Sequence, residues 1–452
     1  MGPGKGAGGQ PEEEGLPRRS VLRGAGAGAL AAGAGGVLAA CSSGSKASSA
    51  SSSTSTINIG YIAPFSGSLA GFASGDNFVI DTIRNTPAYS KGIKAGGKTY
   101  QVNIIVTDSR SDPNRASQLA RQLILNNNVD LLLTSSTPQT VNPVAVVAQT
   151  QGVPCAATND PWEAWYSGLG GNPAQPTAKF EYCTLFFFGL QQLIECFIAM
   201  WKRMPSGSTA VACQWPNDAD GTVFRAVLTP VINGAGFKVV DGGPYIDGLT
   251  DFTAMINKFK GAGCQYISNC PLPPDFNIFW KQANQLGWKP KLATVAKVLL
   301  FPNDLTALGP LVNNIATDSW WGPYMPYRSS LDDKLRAQDL VNLFQAQTGR
   351  EWVQSIGGTY SLFEIAHQAL TAVSDPHDHP EVAAALHNVN YHGISGRLDF
   401  ASGHPAPGVV AIPVVGVQWK ETPGKFPFEM RVVDNTLNPI VKLGAHLTPT
   451  NP

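Results

Sequence analysis

The sequence predicts an α/β fold of two doubly wound parallel-sheet lobes joined by a three-segment hinge. Strand-like and helix-like stretches alternate along almost the whole chain, a pattern typical of parallel sheets covered by helices on both faces. The alternation restarts near residue 186, which indicates a second sheet. About 390 residues follow the N-terminal segments, a length that exceeds one hydrophobic core and suits two domains.

In the first lobe, short apolar runs predict strands, and stretches with apolar residues at helical spacing predict helices. The first strand begins at Ile57 with INIGYIAP. The later elements follow in the order strand, helix, strand, helix, strand: YQVNIIVTD, DPNRASQLARQLILNN, VDLLLTSS, PQTVNPVAVVAQTQ and GVPCAAT. Strands joined by helices of this length imply a parallel sheet.

The second lobe repeats this order, beginning with a helix: LQQLIECFIAMWKRM, STAVACQW, GTVFRAVLTPVINGAG, FKVVDGG, DFTAMINKFKGAG, CQYISNC and FNIFWKQANQLG. After residue 326, two helical stretches and further strands complete both lobes: LDDKLRAQDLVNLFQAQTG, TYSLFEIAHQALTAVSD, and strands around 409–419 and 428–433. We therefore assign residues 57–185 and 327–400 to lobe 1 and residues 186–326 and 401–445 to lobe 2. Three crossings, near residues 186, 326 and 401, would form a hinge that allows closure around a ligand.

An export signal precedes the lobes. RRSVLR, at residues 18–23, resembles a twin-arginine signal, and the apolar, Gly-rich run that follows is too short to span a membrane. LAAC, which ends at Cys41, looks like a lipobox. This predicts that residues 1–40 are removed, that Cys41 carries a diacylglycerol, and that the protein is anchored on the outer face of the cytoplasmic membrane.

The composition of the remaining chain limits its partners. Residues 41–56 are almost entirely Ser, Thr, Ala and Gly, which predicts a flexible tether. The signal holds four of the 32 basic and three of the 32 acidic residues, which leaves 28 and 29 in the mature chain. Such a balance gives no sign of a nucleic-acid partner. Six cysteines remain beyond Cys41, an even number that favours disulfides in an exported chain.

The order of motifs resembles the substrate-binding proteins of ABC transporters for branched-chain amino acids and related amides. The stretches that carry the resemblance span roughly residues 57–420: YIAPFSGSLAGF, GIKAGGKTYQVNIIVTDSRSDPNRASQLARQLI, NNVDLLLTSST, GVPCAATNDPW, NDADG, DFTAMINKFKGAG, FWKQANQLG and GTYSLFEIAHQAL. The resemblance implies the type I periplasmic-binding fold, with a cleft between the lobes that holds an amino acid or a small organic acid. It implies ABC permease subunits as membrane partners and no cofactor, and we expect a monomer.

The first lobe offers hydroxyl groups for an anion. The loop after VDLLL supplies Ser135, Ser136 and Thr137 at the start of a helix, where hydroxyls and backbone amides suit an anionic group. Ordinary helix capping is the alternative for these residues. The resemblance implies a further hydroxyl at Thr158 and an aromatic wall at Phe72. We therefore expect the ligand carboxylate on Ser136, Thr137 and Thr158.

The second lobe offers carboxylates. The resemblance places Asp275 in register with an acidic residue that pairs a ligand ammonium, and Asp220 stands where the family often has an aromatic residue. An unpaired carboxylate in a closing cleft is costly, so either one implies a cationic group on the ligand. Helix capping is the alternative for Asp275. Trp162, at the cleft edge, and Tyr360, at the start of a helix, would add apolar walls, with packing against the neighbouring loop as the alternative for Trp162.

Two disulfides are expected within the lobes. Cys155 closes a first-lobe strand, and Cys183 lies in FEYCTLF, which should run beside it. Cys213 and Cys270 end strands that should be neighbours in the second sheet. A bridge needs α-carbons within roughly 7 Å, which neighbouring strands provide, although the side-chain directions of parallel strands need not suit one. We predict the Cys155–Cys183 and Cys213–Cys270 bridges, whereas Cys196 falls in an apolar helix and is expected to be buried.

Catalytic motifs do not occur in a suitable context. The glycines of the signal have no strand before them, the Ser–x–x–Lys of SGSK falls in the tether, and DPHDHP lies in a Pro-bounded link between helices. No Ser, His and Asp set stands in a hydrolase context such as Gly–x–Ser–x–Gly. We therefore predict the solute-binding component of an ABC importer and not an enzyme. A ligand-sensing receptor of the same fold is one alternative, and a secreted hydrolase is another.

Overall fold

A computed structural model describes residues 56–450 together with Gly2, and of residues 303 and 304 it describes only the backbone. Residues 56–450 belong to one compact unit. The predicted signal, Cys41 and all of the predicted tether except Thr56 lie outside the described residues. None of the helices in this described part is long and apolar enough to cross a bilayer.

The described residues form sixteen strands: β1 (Thr56–Ala63), β2 (Ile93–Ala95), β3 (Lys98–Asp108), β4 (Leu131–Ser135), β5 (Cys155–Thr158), β6 (Cys183–Phe186), β7 (Ala210–Gln214), β8 (Lys238–Asp241), β9 (Tyr266–Asn269), β10 (Leu292–Ala293), β11 (Ala316–Ser319), β12 (Asn390–Gly393), β13 (Gly396–Asp399), β14 (Val409–Val410), β15 (Val415–Glu421) and β16 (Phe428–Asp434).

They also form thirteen α-helices: α1 (Asp76–Asn85), α2 (Pro87–Ser90), α3 (Pro113–Asn127), α4 (Pro138–Gln151), α5 (Trp162–Gly168), α6 (Leu190–Arg203), α7 (Ala219–Gly234), α8 (Thr253–Gly261), α9 (Pro273–Gln285), α10 (Pro302–Leu308), α11 (Ala337–Thr348), α12 (Ser355–Thr371) and α13 (His379–Asn388). The helices predicted from apolar spacing all occur, and α4 spans the predicted PQTVNPVAVVAQTQ.

Lobe 1 is built on a seven-stranded sheet in the order β14-β6-β5-β4-β1-β3-β2, which is parallel except for the β2–β3 hairpin. Lobe 2 contains a parallel four-stranded sheet in the order β10-β9-β7-β8, and beside it an antiparallel sheet in the order β11-β15-β16. The inner strands β4, β7 and β9 are wholly buried, as expected when helices cover both faces, whereas β3 and β8 are partly exposed. The predicted type I periplasmic-binding architecture is therefore confirmed.

The last crossing between the lobes lies later than the sequence indicates. Val409 and Val410 form β14 at the edge of the lobe 1 sheet, where Leu185 N–H donates to Gly408 C=O at 2.9 Å and Phe187 N–H donates to Val410 C=O at 3.0 Å. The predicted return to lobe 2 at residue 401 is therefore wrong. A strand of two residues is too short to show an alternating pattern, so its pairing is visible only in three dimensions.

The two predicted disulfides are absent, because the six described cysteines are buried free thiols. Cys155 does lie opposite Cys183 in register. Adjacent parallel strands, however, lie about 4.8 Å apart with side chains side by side, which exceeds the roughly 3.5–4.5 Å between the β-carbons of a disulfide. Cys213 lies opposite Ser268, so Cys270 is two residues beyond its register. Cys196 is buried in α6, as predicted.

Candidate ligand site between the lobes

A cavity lies where the carboxyl ends of both parallel sheets face each other, the usual ligand position in open α/β sheets. Helices α4 and α5 of lobe 1 contact α7 of lobe 2 beside it. Its space is ≈ 430 Å³ including the opening to solvent, of which ≈ 40 Å³ admits the centre of a water molecule, so the lobes pack closely around it. The lining is Phe72, Thr137, Pro138, Asn159, Pro161, Phe187, Phe188, Leu193, Asp220, Phe224, Cys270, Ala296, Lys297, Leu300 and Asp318.

Thr137 and Ser136 are the hydroxyl groups that the first lobe leaves available. Thr137 is the residue before α4 and lines the cavity, yet its side chain makes no capping bond to the helix. The hydroxyls of Ser136 and Thr137 are buried and have no hydrogen-bond partner among residues 56–450. Helix capping therefore does not occupy them. The N-terminal end of α4 carries a partial positive charge, so this corner of the cavity suits an anion.

Ser135 and Thr158 are not available in the same way. The Ser135 hydroxyl accepts a hydrogen bond from the Asn159 amide at 2.8 Å. The Thr158 hydroxyl donates to the Phe186 carbonyl at 2.9 Å and does not line the cavity. A hydroxyl that already donates inside the sheet has no proton for a carboxylate. The expectation that Thr158 grips the ligand carboxylate therefore conflicts with the structure.

Four phenylalanine side chains contribute to the apolar lining. Phe72 of lobe 1 lies edge-to-face against Phe301 of lobe 2, with ring centroids 4.8 Å apart. Phe187 and Phe188, on the first crossing between the lobes, have centroids 4.2 Å apart, and Phe187 also contacts Trp320 at 5.1 Å. The walls of the cavity therefore come from both lobes and from the hinge. Phe72 lines the cavity, in line with the aromatic wall expected at this residue.

Trp162 and Tyr360 do not belong to the cavity lining. Trp162 is half-buried at the start of α5 and packs edge-to-face on Tyr166, with centroids 6.2 Å apart. Its indole also lies against the loop before α6, since a β-carbon at Gly189 would overlap Trp162 Nε1, so packing on the neighbouring loop, the alternative given for Trp162, describes its position. Tyr360 is buried within α12, and its hydroxyl lies 2.9 Å from the Ser329 hydroxyl. The sequence suggested that a helix starts near Tyr360, but α12 starts five residues earlier, at Ser355. Tyr360 therefore lies inside the helix and faces the interior of the lobe.

Asp275 is neither a cavity residue nor the residue that caps α9. Both of its carboxylate oxygens accept from the Gly248 N–H at 3.1 Å, and it does not line the cavity. It therefore holds the loop between β8 and α8. The predicted contact with a ligand ammonium conflicts with this position.

A buried ion pair provides the charge of the second lobe. Asp220 Oδ2 lies 2.5 Å from Lys297 Nζ, and Asp218 Oδ2 lies 3.6 Å from the same nitrogen. Lys297 and Asp220 are 8% and 7% exposed and both line the cavity. Burial raises the pKa of Asp220, whereas the Lys297 ammonium opposes that rise. Asp220 therefore lies in the cleft, as predicted, but its partner is a lysine of the same lobe.

Lys297 occupies a strained backbone conformation that the sequence does not reveal. Its φ is +67° and its ψ is −48°, and Val298 N–H donates to Ala296 C=O at 2.7 Å. This is a positive-φ γ-turn, which is rare and strained for a residue with a β-carbon. Such strain of about 1–3 kcal/mol is most often found at functional sites. The turn directs the Lys297 side chain into the cavity.

Two further carboxyl groups lie near this ion pair. Asp318 lines the cavity, and burial raises its pKa to about 7. Asp160 is fully buried behind the lining, with neither oxygen bonded to another described residue. Burial, followed by the charges of Asp220 and Glu163, raises the pKa of Asp160 well above its usual value. Near neutral pH we therefore expect Asp160 to be neutral and Asp318 to be only partly protonated.

Lys297 is the main functional candidate that sequence reasoning missed. It stands in LATVAKVLL, an apolar run in which a single lysine carries no motif. The FFFG run at residues 186–189 was a visible signal for aromatic walls, because three consecutive aromatic residues at the end of a buried strand must in part face the sheet edge.

Comparison with known proteins extends this description. Residues 56–420 match the family model of periplasmic binding proteins. The leucine-binding protein LivK of Thermotoga maritima MSB8 is similar at a TM-score of 0.67 and 17% identity, covering 84% of this chain and 99% of its own. LivJ of Streptococcus pneumoniae, in complex with isoleucine, is similar at a TM-score of 0.63 and 17% identity, and the match covers 84% of this chain and 99% of LivJ. A solute-binding protein of Rhodopseudomonas palustris HaA2, in complex with p-hydroxybenzoic acid, is similar at a TM-score of 0.66 and 18% identity, and the match covers 87% of this chain and 98% of that protein.

Proposed function

The chain belongs to the periplasmic binding protein family, and we propose that it is the extracytoplasmic solute-binding component of an ABC importer. The observation that carries the proposal is the Phe-lined cavity between the two lobes, with unpartnered hydroxyls on one side and an ion pair on the other. A largely apolar cavity with a few polar groups at its ends suits a small molecule held between the two lobes. The ABC permease is the expected membrane partner.

The ligand is a small amino-acid-like molecule or organic acid. Its carboxylate would lie at Thr137 and the start of α4, and Phe72, Phe187, Phe188 and Phe224 would cover its apolar part. The names of similar proteins include binders of leucine, isoleucine and p-hydroxybenzoic acid. An aromatic or aliphatic acid fits the walls of this cavity better than a polar amino acid does.

Export and anchoring complete the proposal. The twin-arginine segment and the lipobox that ends at Cys41 support a mature protein tethered by lipid. Cys41→Ser should release the protein from washed membranes while leaving the lobes folded. Recovery of the same membrane-bound fraction for parent and variant would contradict the anchor.

Ligand binding by the purified lobes, residues 56–450, tests the function. Leucine, isoleucine, benzoate and p-hydroxybenzoate are titrated by calorimetry and by thermal unfolding, because a ligand that binds the folded state raises the Tm. We expect at least one acid to bind and to be recovered intact. A chemically altered ligand would favour the hydrolase alternative. Deleting adjacent permease genes separates an importer component from a sensor. Loss of ligand transport indicates an importer component, whereas loss of a signalling response indicates a sensor.

A further inference from the structure

We propose that the Lys297–Asp220 pair binds a hydroxyl group of the ligand, so that the ligand is a hydroxy-substituted carboxylic acid. This inference rests on the proposed function and specifies its ligand class. The carboxylate would lie at Thr137 in lobe 1, and the hydroxyl would lie at the opposite end, in lobe 2. Lys297 and Asp220 then act as residues that determine specificity.

The chemistry of the pair matches that of a hydroxyl group. A hydroxyl donates one hydrogen bond and accepts others, so it needs an acceptor and a donor close together. Asp220 Oδ2 and Lys297 Nζ lie 2.5 Å apart and both line the cavity. The neighbouring lining residues Phe224, Ala296 and Leu300 offer only carbon-bearing side chains. A ligand group at this end therefore meets one donor and one acceptor at the same place.

The charges around Lys297 disfavour an anionic ligand group at this end. The Lys297 ammonium already faces two carboxylates, Asp220 at 2.5 Å and Asp218 at 3.6 Å. A ligand carboxylate would become the third anion on one ammonium in a buried site, where like charges repel strongly. Asp318, the second carboxyl on the lining beside Asp220, adds to that repulsion when it is ionised.

A cationic group is disfavoured for a different reason. Asp218 Oδ1 accepts from the Gly221 N–H at 2.6 Å, and Asp220 is in contact with Lys297. A ligand ammonium placed at this pair, rather than at Asp318, would have to share Asp220 with the lysine, which brings two positive charges within a few ångströms in a desolvated pocket. A neutral hydroxyl adds no charge and bonds both partners.

The backbone holds Lys297 for this contact. Lys297 is the central residue of the γ-turn between Ala296 and Val298. A lysine needed only for an ion pair with Asp220 could occupy an unstrained position, because its four-carbon side chain is flexible. The strained turn instead keeps the ammonium at the cavity wall.

Matched ligand pairs test the inference. Affinities of the 56–450 protein are measured by calorimetry for p-hydroxybenzoate against p-methylbenzoate and for tyrosine against phenylalanine. In each pair the hydroxyl is replaced by a group that cannot donate or accept. We expect the hydroxylated member of at least one pair to bind about 10–100-fold more tightly, since its partner leaves Lys297 and Asp220 without a bridging group.

The double variant Lys297→Met with Asp220→Leu provides the second measurement. Replacement of a buried ion pair by apolar residues of similar volume is often tolerated, so the variant is expected to fold. The variant should no longer bind the hydroxylated acid more tightly than its partner, or should bind it less tightly. Its affinity for the hydroxyl-free acid should stay close to that of the parent protein. The control, Arg225→Met with Asp241→Leu, removes a lobe 2 ion pair outside the lining and should keep the preference.

The outcomes separate this inference from the proposed function. If hydroxyl-free acids bind as tightly as their hydroxylated partners, the inference is wrong and the binding function stands. An unchanged preference in the Lys297→Met, Asp220→Leu variant would also overturn it. If no acid in either set binds the parent protein, both the proposed function and the ligand class are wrong.

Discussion

The ring of Phe72 in lobe 1 meets the ring of Phe301 in lobe 2, with centroids 4.8 Å apart and planes at 71°. Phe72 lines the inner cavity, whereas Phe301 lines a groove on its outer side, so the pair forms the wall between them. A β-carbon at Gly71 would lie 2.8 Å from the Phe301 ring, which leaves room only for glycine. This contact can exist only when the lobes are close together.

The first prediction follows from that contact. Phe301→Ala should weaken ligand affinity about 3–10-fold, mainly through faster dissociation, because it removes an interlobe aromatic pair of roughly 0.5–1.5 kcal/mol. Stopped-flow displacement measures the dissociation rate. Phe426→Ala, which removes a lobe 2 ring lining only the outer groove, is the control and should leave that rate unchanged. Equal dissociation rates for Phe301→Ala and the parent would contradict a closing role.

A second prediction separates the two threonines. Thr137→Val should lower affinity for the bound acid about tenfold, because the unpartnered hydroxyl that donates to the carboxylate is lost. Thr158→Val should leave affinity nearly unchanged but reduce the free energy of unfolding by about 1–3 kcal/mol, because the Phe186 carbonyl loses its donor. Calorimetry and chemical denaturation measure the two effects. The reverse pattern would restore Thr158 to the ligand site.

The third prediction concerns Asp275. Asp275→Asn should not change ligand affinity, because its carboxylate bonds to Gly248 and lies away from the cavity. Asp275→Ala should likewise leave affinity unchanged but loosen the loop between β8 and α8, where Ile246 is exposed, because no acceptor remains for the Gly248 N–H. Limited proteolysis measures this as faster cleavage within residues 242–252. A drop in affinity without faster cleavage would instead indicate a direct ligand contact.

A fourth prediction concerns the thiols. The protein comprising residues 56–450 should yield six reactive thiols in denaturant without any reductant, because its six cysteines are free. In the folded protein they should react slowly, since all are buried. Finding four thiols, with a Cys155–Cys183 peptide pair in non-reducing mapping, would show that the bridge predicted from the sequence forms after all.

The fifth prediction is a pH dependence of stability. Burial raises the pKa of Asp76 to about 7, although the Tyr61 and Thr359 hydroxyls donate to it. Between about pH 4 and 7 the folded state therefore holds a proton that the unfolded chain has released, and stability falls as pH rises through this window. Asp76→Asn should make the fall in the free energy of unfolding between pH 5 and 8 smaller by on the order of 1–3 kcal/mol. Chemical denaturation at several pH values measures the free energy of unfolding. The same dependence of that free energy on pH in parent and variant would contradict the raised pKa of Asp76.

Much of the fold was predictable because each long element carries its own periodicity. Helix α4 coincides with its predicted range, and the strands around it follow from short apolar runs. The pairing of β14 was not predictable, because two residues have no period. The boundary of α12 was missed as well, since the small residues at its start give no apolar stripe. That shift moved Tyr360 out of the expected site.

The sequence by itself determined the α/β class, the two lobes and the corner of the cavity at Thr137, because these depend on local periodicity and on the loop that follows a strand. Only the tertiary structure decided which side chains meet. Asp275 reaches a loop 27 residues away, Thr158 bonds across to the next strand, and Lys297 enters the cavity through a strained turn. Such contacts depend on the packing of distant segments and on backbone torsions, neither of which a local pattern of residues encodes.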